Sequence, residues 1–490
     1  MPRNFSPRTT SSRTIIHQTS SPRILTRRQA GAGLLGALLC ASTGFYPVRV
    51  LAESAGALPK PSTIKYFTAK GAGSHDGSSW QDAMPVGWLK RSFPFAEPGT
   101  AFFIGFDGHG ADAVAWRGTL AGLGASGAPG DPIQIVAGHV GAGGDFAAAS
   151  GTDASFFFKS QQPWSIKGSG ARSAPRCAFS LIKGASHVAI SGFRVNGAGA
   201  DGFIKFSANQ NDKQTFDDIV IRNIRATDVG RIIETGKGAV LHNLTVEDCD
   251  VTGIVRGFAR FWKIEDSTLR NLTLDADNRD GGLRNPCQLI AIATGNNVTL
   301  ENIVLKNAFN RPQPDDKPGK TYIQGDGIVC ERGTKNITIR GCHASGMGDG
   351  GFDVKTTNVT IEDSSAESCK FGARIWSESD NVVRRCHFKS PAPVGGFTSG
   401  CIQASGRLTI TDTTLEVGPG TCGIQLHQLK HQGPPTVEMT GGAITLKDGA
   451  SLAVGRSDAV LQLNNVSVNG ETRTQRVVLN SLGPIPGSSD

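Results

Sequence analysis

Asn336-Ile-Thr-Ile and Asn358-Val-Thr-Ile are two copies of a four-residue phrase that recurs along most of the chain. Each copy places a polar residue between two apolar ones after the Asn, which is the alternation of a half-buried strand. Further copies, some with another first residue, begin at positions 187, 218, 243, 271, 297, 381, 407, 436 and 460, so successive copies lie 22 to 39 residues apart. A drifting repeat of this length predicts an all-β solenoid, in which each turn buries its inward residues against the next.

The first position of the phrase indicates a corner between strands. Asn adopts left-handed backbone readily, and its amide can stack on the Asn of the next turn. The Asn-x-Thr triplets also match the acceptor pattern for N-glycosylation. Because the triplets coincide with the repeat, we interpret their Asn residues as a ladder at the rung corners.

The charge of the chain is concentrated at its N-terminus. The 490 residues carry a net charge of +8, but residues 1–52 contain seven Arg and no Lys, Asp or Glu. The remainder has 43 basic and 42 acidic residues, which is close to neutral. We therefore expect no nucleic-acid partner, because no long-range positive field remains to attract one.

Residues 1–52 have the pattern of an export signal. Thr26-Arg27-Arg28 precedes an uncharged stretch from Ala30 to Ser42, and Val50-Leu51-Ala52 is a plausible cleavage site. The stretch is similar to a twin-arginine signal and is too short and Gly-rich for a stable membrane span. We expect a periplasmic or secreted protein, with a cap and first rungs in residues 53–165, a β-helix in 166–475 and a tail in 476–490.

The cysteines do not form a metal-binding pattern. Ten Cys are scattered at about one per repeat without any C-x-x-C pair, so a zinc site is not expected. Their positions predict buried free thiols that pack as small apolar side chains.

Several N-terminal segments resemble those of a known superfamily. Residues 66–83, 98–104, 127–135 and 179–193 look like the opening rungs of right-handed parallel β-helix proteins, the pectate-lyase-like polysaccharide lyase superfamily. The resemblance covers roughly residues 63–430. It implies a right-handed parallel β-helix of about 10–12 rungs with an N-terminal capping segment, and a polysaccharide as the partner.

Four Gly-led strands align into one column, beginning at residues 327, 351, 372 and 423. Alternation then directs their apolar residues inward and leaves a charged and aromatic row outside. The predicted outer row is Glu331, Asp353, Lys355, Arg374, Trp376, Gln425 and His427. Asp353 and Arg374 would be neighbours on adjacent rungs, and so would Lys355 and Trp376. We interpret this row as the floor of a binding groove.

Residues 346–355 and 369–374 resemble the core of family 9 polysaccharide lyases. In that family an Asp-rich Gly-Phe-Asp rung binds calcium and a Lys on the next rung is the base. The resemblance implies that Asp349 and Asp353 are calcium ligands and that Arg374 takes the place of the base. Asp326 and Glu331 could complete the oxygen site. The chain departs from the family where Gly350 replaces a second Asp and Arg replaces Lys.

β-Elimination from a uronate needs a base beside the acidic proton and a cation that neutralises the carboxylate. Calcium suits the second task. Arg374 is the candidate base, and Lys355 is the reserve because Arg resists deprotonation. The remaining candidates would bind substrate: Trp376 by stacking on a sugar ring, and Gln425, His427 and Lys370 through polar contacts. The predicted function is an exported lyase for an acidic polysaccharide.

Other functions remain open from the sequence. A C5-epimerase would abstract the same proton, and a glycoside hydrolase would use Asp326, Asp349 and Asp353 as acid and base. A non-catalytic glycan-binding solenoid would carry Asp353 and Arg374 only as a surface ion pair. His109 and the Asp-rich loop 275–282 are interpreted as a loop residue and a solvated turn.

Overall fold

The computed structural model describes residues 58–68, 70–106, 114–115, 121–140, 146–148, 155–157, 179–196, 202–282, 286–312, 322–377, 381–395, 398–429, 433–456 and 458–479. All of them belong to one compact unit, Val50–Asp490. The predicted signal in residues 1–52, His109 and most of the loop 310–320 lie outside the described residues. Within the described part, no helix is both long and apolar enough to cross a membrane.

The described residues are almost entirely β-structure. The strands of the first half are β1 (Thr63–Thr68), β2 (Met84–Pro85), β3 (Thr100–Phe106), β4 (Val114–Ala115), β5 (Ala121–Leu123), β6 (Ile133–Val140), β7 (Phe146–Ala148), β8 (Ser155–Phe157), β9 (Phe179–Leu181), β10 (Val188–Ser191), β11 (Arg194–Asn196), β12 (Ile204–Phe206), β13 (Gln214–Arg222), β14 (Arg225–Thr227), β15 (Ile233–Thr235), β16 (Ala239–Thr252), β17 (Ala259–Phe261) and β18 (Ile264–Asp275).

The second half continues without helices. Its strands are β19 (Gln288–Lys306), β20 (Asp326–Arg340), β21 (His343–Ser345), β22 (Gly350–Val354), β23 (Thr357–Glu362), β24 (Ser365–Glu367), β25 (Phe371–Ile375), β26 (Asn381–Arg384), β27 (His387–Ser390), β28 (Gly400–Ala404), β29 (Arg407–Thr411), β30 (Thr414–Val417), β31 (Cys422–Leu426), β32 (Thr436–Thr440), β33 (Ala443–Leu446), β34 (Ser451–Gly455), β35 (Val460–Val468) and β36 (Glu471–Val478).

Parallel pairing stacks these strands into the three faces of a parallel β-helix. One face, which we call the site sheet, contains twelve described strand segments in the order β5, β9, β12, β15, β17, β19, β20, β22, β25, β28, β31 and β34. The predicted fold class, a parallel β-helix of about 10–12 rungs, is therefore confirmed. β36 ends the described fold by running antiparallel to β35, and it continues past residue 475.

Short helical segments lie near the N-terminus, before the regular rungs. The 3-10 helices Val86–Trp88 and Phe93–Phe95 flank α1 (Leu89–Ser92). The side chains of Leu89 and Phe93 are fully buried, and the Phe93 ring lies 4.8 Å from that of Phe102 on β3. This segment therefore contributes aromatic surface to the core of the first rungs.

The core follows the predicted alternation. The inward residues Ile328, Phe352, Ala373 and Ile424 are each completely buried. The eight described cysteines are all buried and none forms a disulfide. Burial raises the pKa of most of these thiols to about 12, as at Cys249. The prediction of buried free thiols is confirmed for these eight residues.

The corner ladder exists, but the phrases at Asn271 and Asn381 lie outside it. Asn381 is fully buried, is in register with the inward Leu408, and its Oδ1 accepts the backbone N–H of Val359 over 3.2 Å. Asn336 and Asn358 have positive φ, and the Asn358 amide donates to Asn336 Oδ1 over 2.6 Å. The phrase at Asn271, however, lies at a different corner, where its amide donates to Asp248 Oδ1 over 3.0 Å. Asp266, also left-handed, occupies the predicted position and accepts from Asn297 over 2.7 Å. Asp can fill this corner because it shares the backbone tolerance of Asn.

The Asp-rich loop has the contacts of a structured turn. Asp275 Oδ1 accepts the backbone N–H of Asp277 over 2.7 Å and the Asn307 amide over 2.9 Å. Asp280 Oδ1 accepts the N–H of Gly282 over 3.0 Å. Because these carboxylates cap backbone donors, the contacts agree with the interpretation of a solvated turn.

Gly351→Ala should destabilise the rung that carries the candidate site. A Cβ there would lie 2.6 Å from the carbonyl oxygen of Gly372, and 3.1 Å from Ala344 Cβ. Because backbone cannot yield, we expect a loss of about 1–3 kcal/mol in the free energy of unfolding. Gly433→Ala is the matched control, since its Cβ would meet nothing within 4 Å. Urea unfolding curves would show the difference, and equal midpoints for both variants would contradict this packing.

Candidate functional site

The predicted outer row lies on the site sheet, but it contains one rung more than the glycine alignment indicated. Asp353 is in register with Arg374, as predicted. Arg374 is next in register with Gln403 of β28, and only then comes Gln425 of β31. Gln425 is therefore two rungs from Arg374, a separation of about 10 Å between backbones.

Arg374 is a buried cation held by contacts on two sides. Its Nη1 lies 2.5 Å from Asp349 Oδ2, and its Nε donates to Gln403 Oε1 over 3.0 Å. Burial alone lowers the pKa of Arg374, but the neighbouring carboxylates, Asp349 first, more than compensate and raise it above its usual range. Arg374 is therefore a fixed positive charge that holds its proton.

Asp353 is the acceptor for two other donors. Trp376 Nε1 donates to Asp353 Oδ1 over 2.5 Å, and Lys355 Nζ lies 3.1 Å from Asp353 Oδ2. Lys355 Nζ also lies 2.9 Å from Glu331 Oε1. Burial lowers the pKa of Lys355, but these two carboxylates outweigh it and raise the pKa overall. The paired ammonium of Lys355 is thus a poor proton acceptor.

Trp376 and His427 form an aromatic edge beside this cluster. Their ring centroids are 5.6 Å apart at an interplanar angle of 81°. The two rings belong to rungs separated by β28, where the small residue Ser405 follows the strand. Burial and the nearby charges of Arg374 and Arg456 lower the pKa of His427. A half-buried Trp edge with a neutral imidazole suits a sugar ring and its hydroxyl groups.

Asp326 lies near the carboxylates of Asp349 and Asp353 and is only 5% exposed. Its Oδ1 accepts the backbone N–H of Gly350 over 2.9 Å. Burial, followed by the charges of Asp349 and Asp353, raises the pKa of this carboxyl well above its usual range. Asp326 is therefore the carboxyl of the cluster best suited to carry a proton.

Lys370 and Tyr322 complete the cluster on the side of Asp349. The Tyr322 hydroxyl donates to Asp349 Oδ1 over 2.7 Å, and Lys370 Nζ lies 3.4 Å above the centre of the Tyr322 ring. Lys370 is only 3% exposed. Burial is the main cause that lowers its pKa to about 8, with Arg374 acting in the same direction. Lys370 is thus the cation of this cluster that gives up its proton most readily.

The oxygen atoms predicted to bind calcium contact other groups. Asp349 contacts Arg374 and Tyr322, and Asp353 contacts Lys355 and Trp376. In the described ranges no three His, Cys, Asp or Glu side chains are grouped as metal ligands. The arrangement, with a guanidinium among the carboxylates, does not fit a calcium ion. Calcium stays a prediction.

Two residues of the site are missing from the predicted set. Gln403 orients Arg374, and Tyr322 binds Asp349. Gly400-Cys-Ile-Gln-Ala and Cys422-Gly-Ile-Gln-Leu carry Ile-Gln at the same two positions with the Gly displaced by one residue, so the sequence does indicate this additional rung. No sequence signal indicates Tyr322, which follows the polar loop and reaches the site only through the fold.

The comparisons with known proteins agree with the architecture. A family model described as "Right handed beta helix region" matches residues 288–466. No protein of curated function matches the chain significantly in sequence.

Solved structures of similar architecture include enzymes of two classes. Pectate lyase Pel9A is 13% identical, with 84% of this chain and 82% of that chain covered and a TM-score of 0.36. A rhamnogalacturonan lyase is 13% identical, with 83% and 87% covered and a TM-score of 0.40. The catalytic domain of a GH87 α-1,3-glucanase in complex with nigerose is 9% identical, with 86% and 69% covered and a TM-score of 0.45. The family model and the parallel pairing of the strands show a right-handed parallel β-helix fold, and the similar structures above are polysaccharide lyases and a glycoside hydrolase.

Proposed function

We propose that this protein is a lyase that cleaves an acidic polysaccharide by β-elimination at the cluster around Arg374. Lys370 would accept the proton, Asp326 would donate one to the leaving oxygen, and Arg374 would face the substrate carboxylate. The observation that carries this proposal is the meeting of a buried lysine, a buried carboxyl and a fixed guanidinium on neighbouring rungs. Lys370 is thus the proposed base, in place of Arg374 and Lys355, which were the candidates from the sequence.

The proposed step balances without a co-reactant. Lys370 Nζ takes the proton from the carbon beside the uronate carboxylate, and that bonding pair forms the new carbon–carbon double bond. The bond from the next carbon to the glycosidic oxygen breaks, and the oxygen takes a proton from Asp326. Arg374 stabilises the negative charge that develops on the carboxylate. Proton exchange with water then resets both groups.

The pH dependence follows from the two perturbed groups. Lys370 is active without its proton, and its pKa is lowered to about 8. Asp326 is active with its proton, and its pKa is raised. We therefore expect kcat/KM to rise with pH toward about 8 as Lys370 loses its proton, and to fall again where Asp326 loses its own, which gives a bell-shaped profile. A rate that falls steadily from pH 6 to pH 9 would contradict Lys370 as the base.

Glycoside hydrolysis is the second candidate, and Asp326 is the observation that favours it. A protonated carboxyl beside the carboxylates of Asp349 and Asp353 is the acid and base set that hydrolysis requires. Hydrolysis would give saturated ends, whereas elimination gives unsaturated ends. The C5-epimerase would change the sugar without cleaving it.

The first test uses the chain from Glu53 onward with pectate, alginate, glucuronan and bacterial exopolysaccharides. Ultraviolet absorbance reports unsaturated ends, and a reducing-end assay reports cleavage of either kind. We expect a rise in absorbance on one of these glycans. Parallel reactions with calcium or with a chelator test the calcium prediction. Cleavage without absorbance would replace the lyase by the hydrolase, and no change in any glycan would favour a binding solenoid.

Export is proposed on the basis of the leader alone. Residues 1–52 combine the basic region with Arg27-Arg28 and an uncharged stretch. A periplasmic or secreted location fits a polysaccharide substrate that is too large to enter a cell. Fractionation of cells that express the full chain and an Arg27→Lys/Arg28→Lys variant would test it, with retention in the cytoplasm expected for the variant.

A further inference from the structure

A second group of polar side chains lies on the site sheet, on the N-terminal side of the cluster around Arg374. We call it the basic cluster: Arg231, Lys237, Arg256, Arg260 and Trp262. Arg260 on β17 is in register with Glu234 on β15 and with Ala291 on β19. Ala291 is in register with Val329 on β20, and Val329 is in register with Asp353 on β22. Three rungs, or about 14 Å, therefore separate Arg260 from Asp353.

The basic cluster contains more positive than negative charge. Arg231 Nη1 pairs with Glu234 Oε2 over 2.6 Å. Within the described residues no carboxylate forms an ion pair with Lys237, Arg256 or Arg260. Four cations thus share one carboxylate, in contrast to the cluster around Arg374, where Arg374 and Lys355 are both paired.

Arg231 shows that these positive charges are built into the fold. Its side chain is only 5% exposed, and its Nη2 donates to the carbonyl of Arg256 over 3.2 Å. Its buried Nε has no hydrogen-bond partner. Burial lowers the pKa of Arg231 to about 10, and Arg256 and Arg260 act in the same direction against Glu234. A buried cation repelled by its neighbours is costly unless an anion joins it.

Trp262 adds an aromatic surface to the same place. The Arg260 guanidinium lies 4.5 Å from the centre of the Trp262 ring, and Lys237 Nζ lies 5.2 Å from it. The Trp262 side chain is half-buried, which leaves part of it open to solvent. Aromatic rings beside cations bind anionic sugars well, because the ring covers the apolar face of the sugar while the cations meet its acidic group.

We propose that the basic cluster is a subsite for an anionic sugar residue, about three rungs from the site of cleavage. Its ligand is a carboxylate or sulfate group on a pyranose ring, held by Arg256 and Arg260 against Trp262. The subsite lies on the same sheet as the cluster around Arg374, so one polysaccharide chain along the helix axis reaches both. The link to cleavage rests on the proposed function, whereas binding of the anionic glycan does not.

The experiment compares two double variants with the same loss of charge. Arg256→Gln/Arg260→Gln changes the basic cluster, and Arg473→Gln/Arg476→Gln changes β36 at the other end of the described fold. Calorimetry at low salt would use oligosaccharides of polygalacturonate and alginate, a sulfated galactan, and neutral dextran. The unchanged chain from Glu53 onward should bind an anionic glycan and not dextran. The first variant should weaken that binding at least about tenfold, the scale of one charge-assisted hydrogen bond.

The comparison of glycans also identifies the anionic group. Preference for polygalacturonate or alginate over the sulfated galactan assigns the subsite to a carboxylate, and the reverse preference assigns it to a sulfate. The proposal would be overturned if both double variants weakened binding equally or if Arg256→Gln/Arg260→Gln left binding unchanged. It would also be overturned if dextran bound as well as the anionic glycans, or if no glycan bound. Cleavage assays on the same variants distinguish failure of the subsite from failure of the proposed function. If Arg256→Gln/Arg260→Gln cleaves the polysaccharide with an unaltered KM, the subsite is refuted but the lyase function is not.

Discussion

Lys370→Met will reduce kcat/KM on the substrate polysaccharide by about 10²- to 10⁴-fold, the usual contribution of a general base. The reason is that Lys370 is the buried amine of the cluster whose pKa is lowered, to about 8. Met preserves the length and the packing of the side chain over the Tyr322 ring. Initial rates of absorbance increase, measured with the wild-type chain under the same conditions, provide the test.

The control for this prediction separates chemistry from structure. Lys447→Met removes the same charge from a solvent-exposed turn before β34 and should leave kcat/KM unchanged. Circular dichroism and unfolding midpoints should match for both variants. Full activity in a folded Lys370→Met protein would rule Lys370 out as the base. Lys370→Arg should retain the fold and substrate binding but lose turnover, because the guanidinium keeps its proton.

Arg374→Met will destabilise the folded chain by about 3–5 kcal/mol, the cost of leaving a buried carboxylate without its partner. Asp349 loses the ion pair at 2.5 Å, and Asp326 and Asp353 lose a nearby positive charge. Because the Arg374 side chain is 9% exposed and that of Asp349 is 10% exposed, water cannot replace the lost partner. Urea unfolding at neutral pH would give the difference.

A double variant makes the cause of that loss measurable. Asp349→Asn/Arg374→Met removes both charges and keeps an acceptor for the Tyr322 hydroxyl, so it should recover a large part of the stability. Arg332→Met, on the exposed surface, should lie within about 0.5 kcal/mol of the unchanged chain. A loss in Arg374→Met that persists in the double variant would attribute the effect to packing instead of charge.

The sequence predicts the fold well because its repeat is local. The local sequence indicates the conformation of each corner Asn and of each alternating strand. The rung count and the inward positions of Phe352 and Ala373 therefore follow without knowledge of distant contacts. The error at Asn271 has a simple cause. Two corners of each turn favour the same left-handed residues, so a phrase beginning with Asn does not tell them apart.

The site is less predictable because its contacts join different rungs. The register of Asp353 and Arg374 was predictable from the glycines, but the ion pair of Arg374 with Asp349 was not. Asp349 precedes β22, where strand alternation no longer fixes the direction of a side chain. The lowered pKa of Lys370 depends on burial between rungs, which a linear pattern does not report.

The mass of the products formed in water labelled with heavy oxygen tests cleavage by β-elimination most directly. β-Elimination adds no water, so we expect an unsaturated new end, no heavy oxygen introduced at the cleaved bond, and loss of these products in Lys370→Met. Hydrolysis would add one water, so saturated products that carry the label would contradict the lyase and assign Asp326 and its neighbouring carboxylates to the hydrolase.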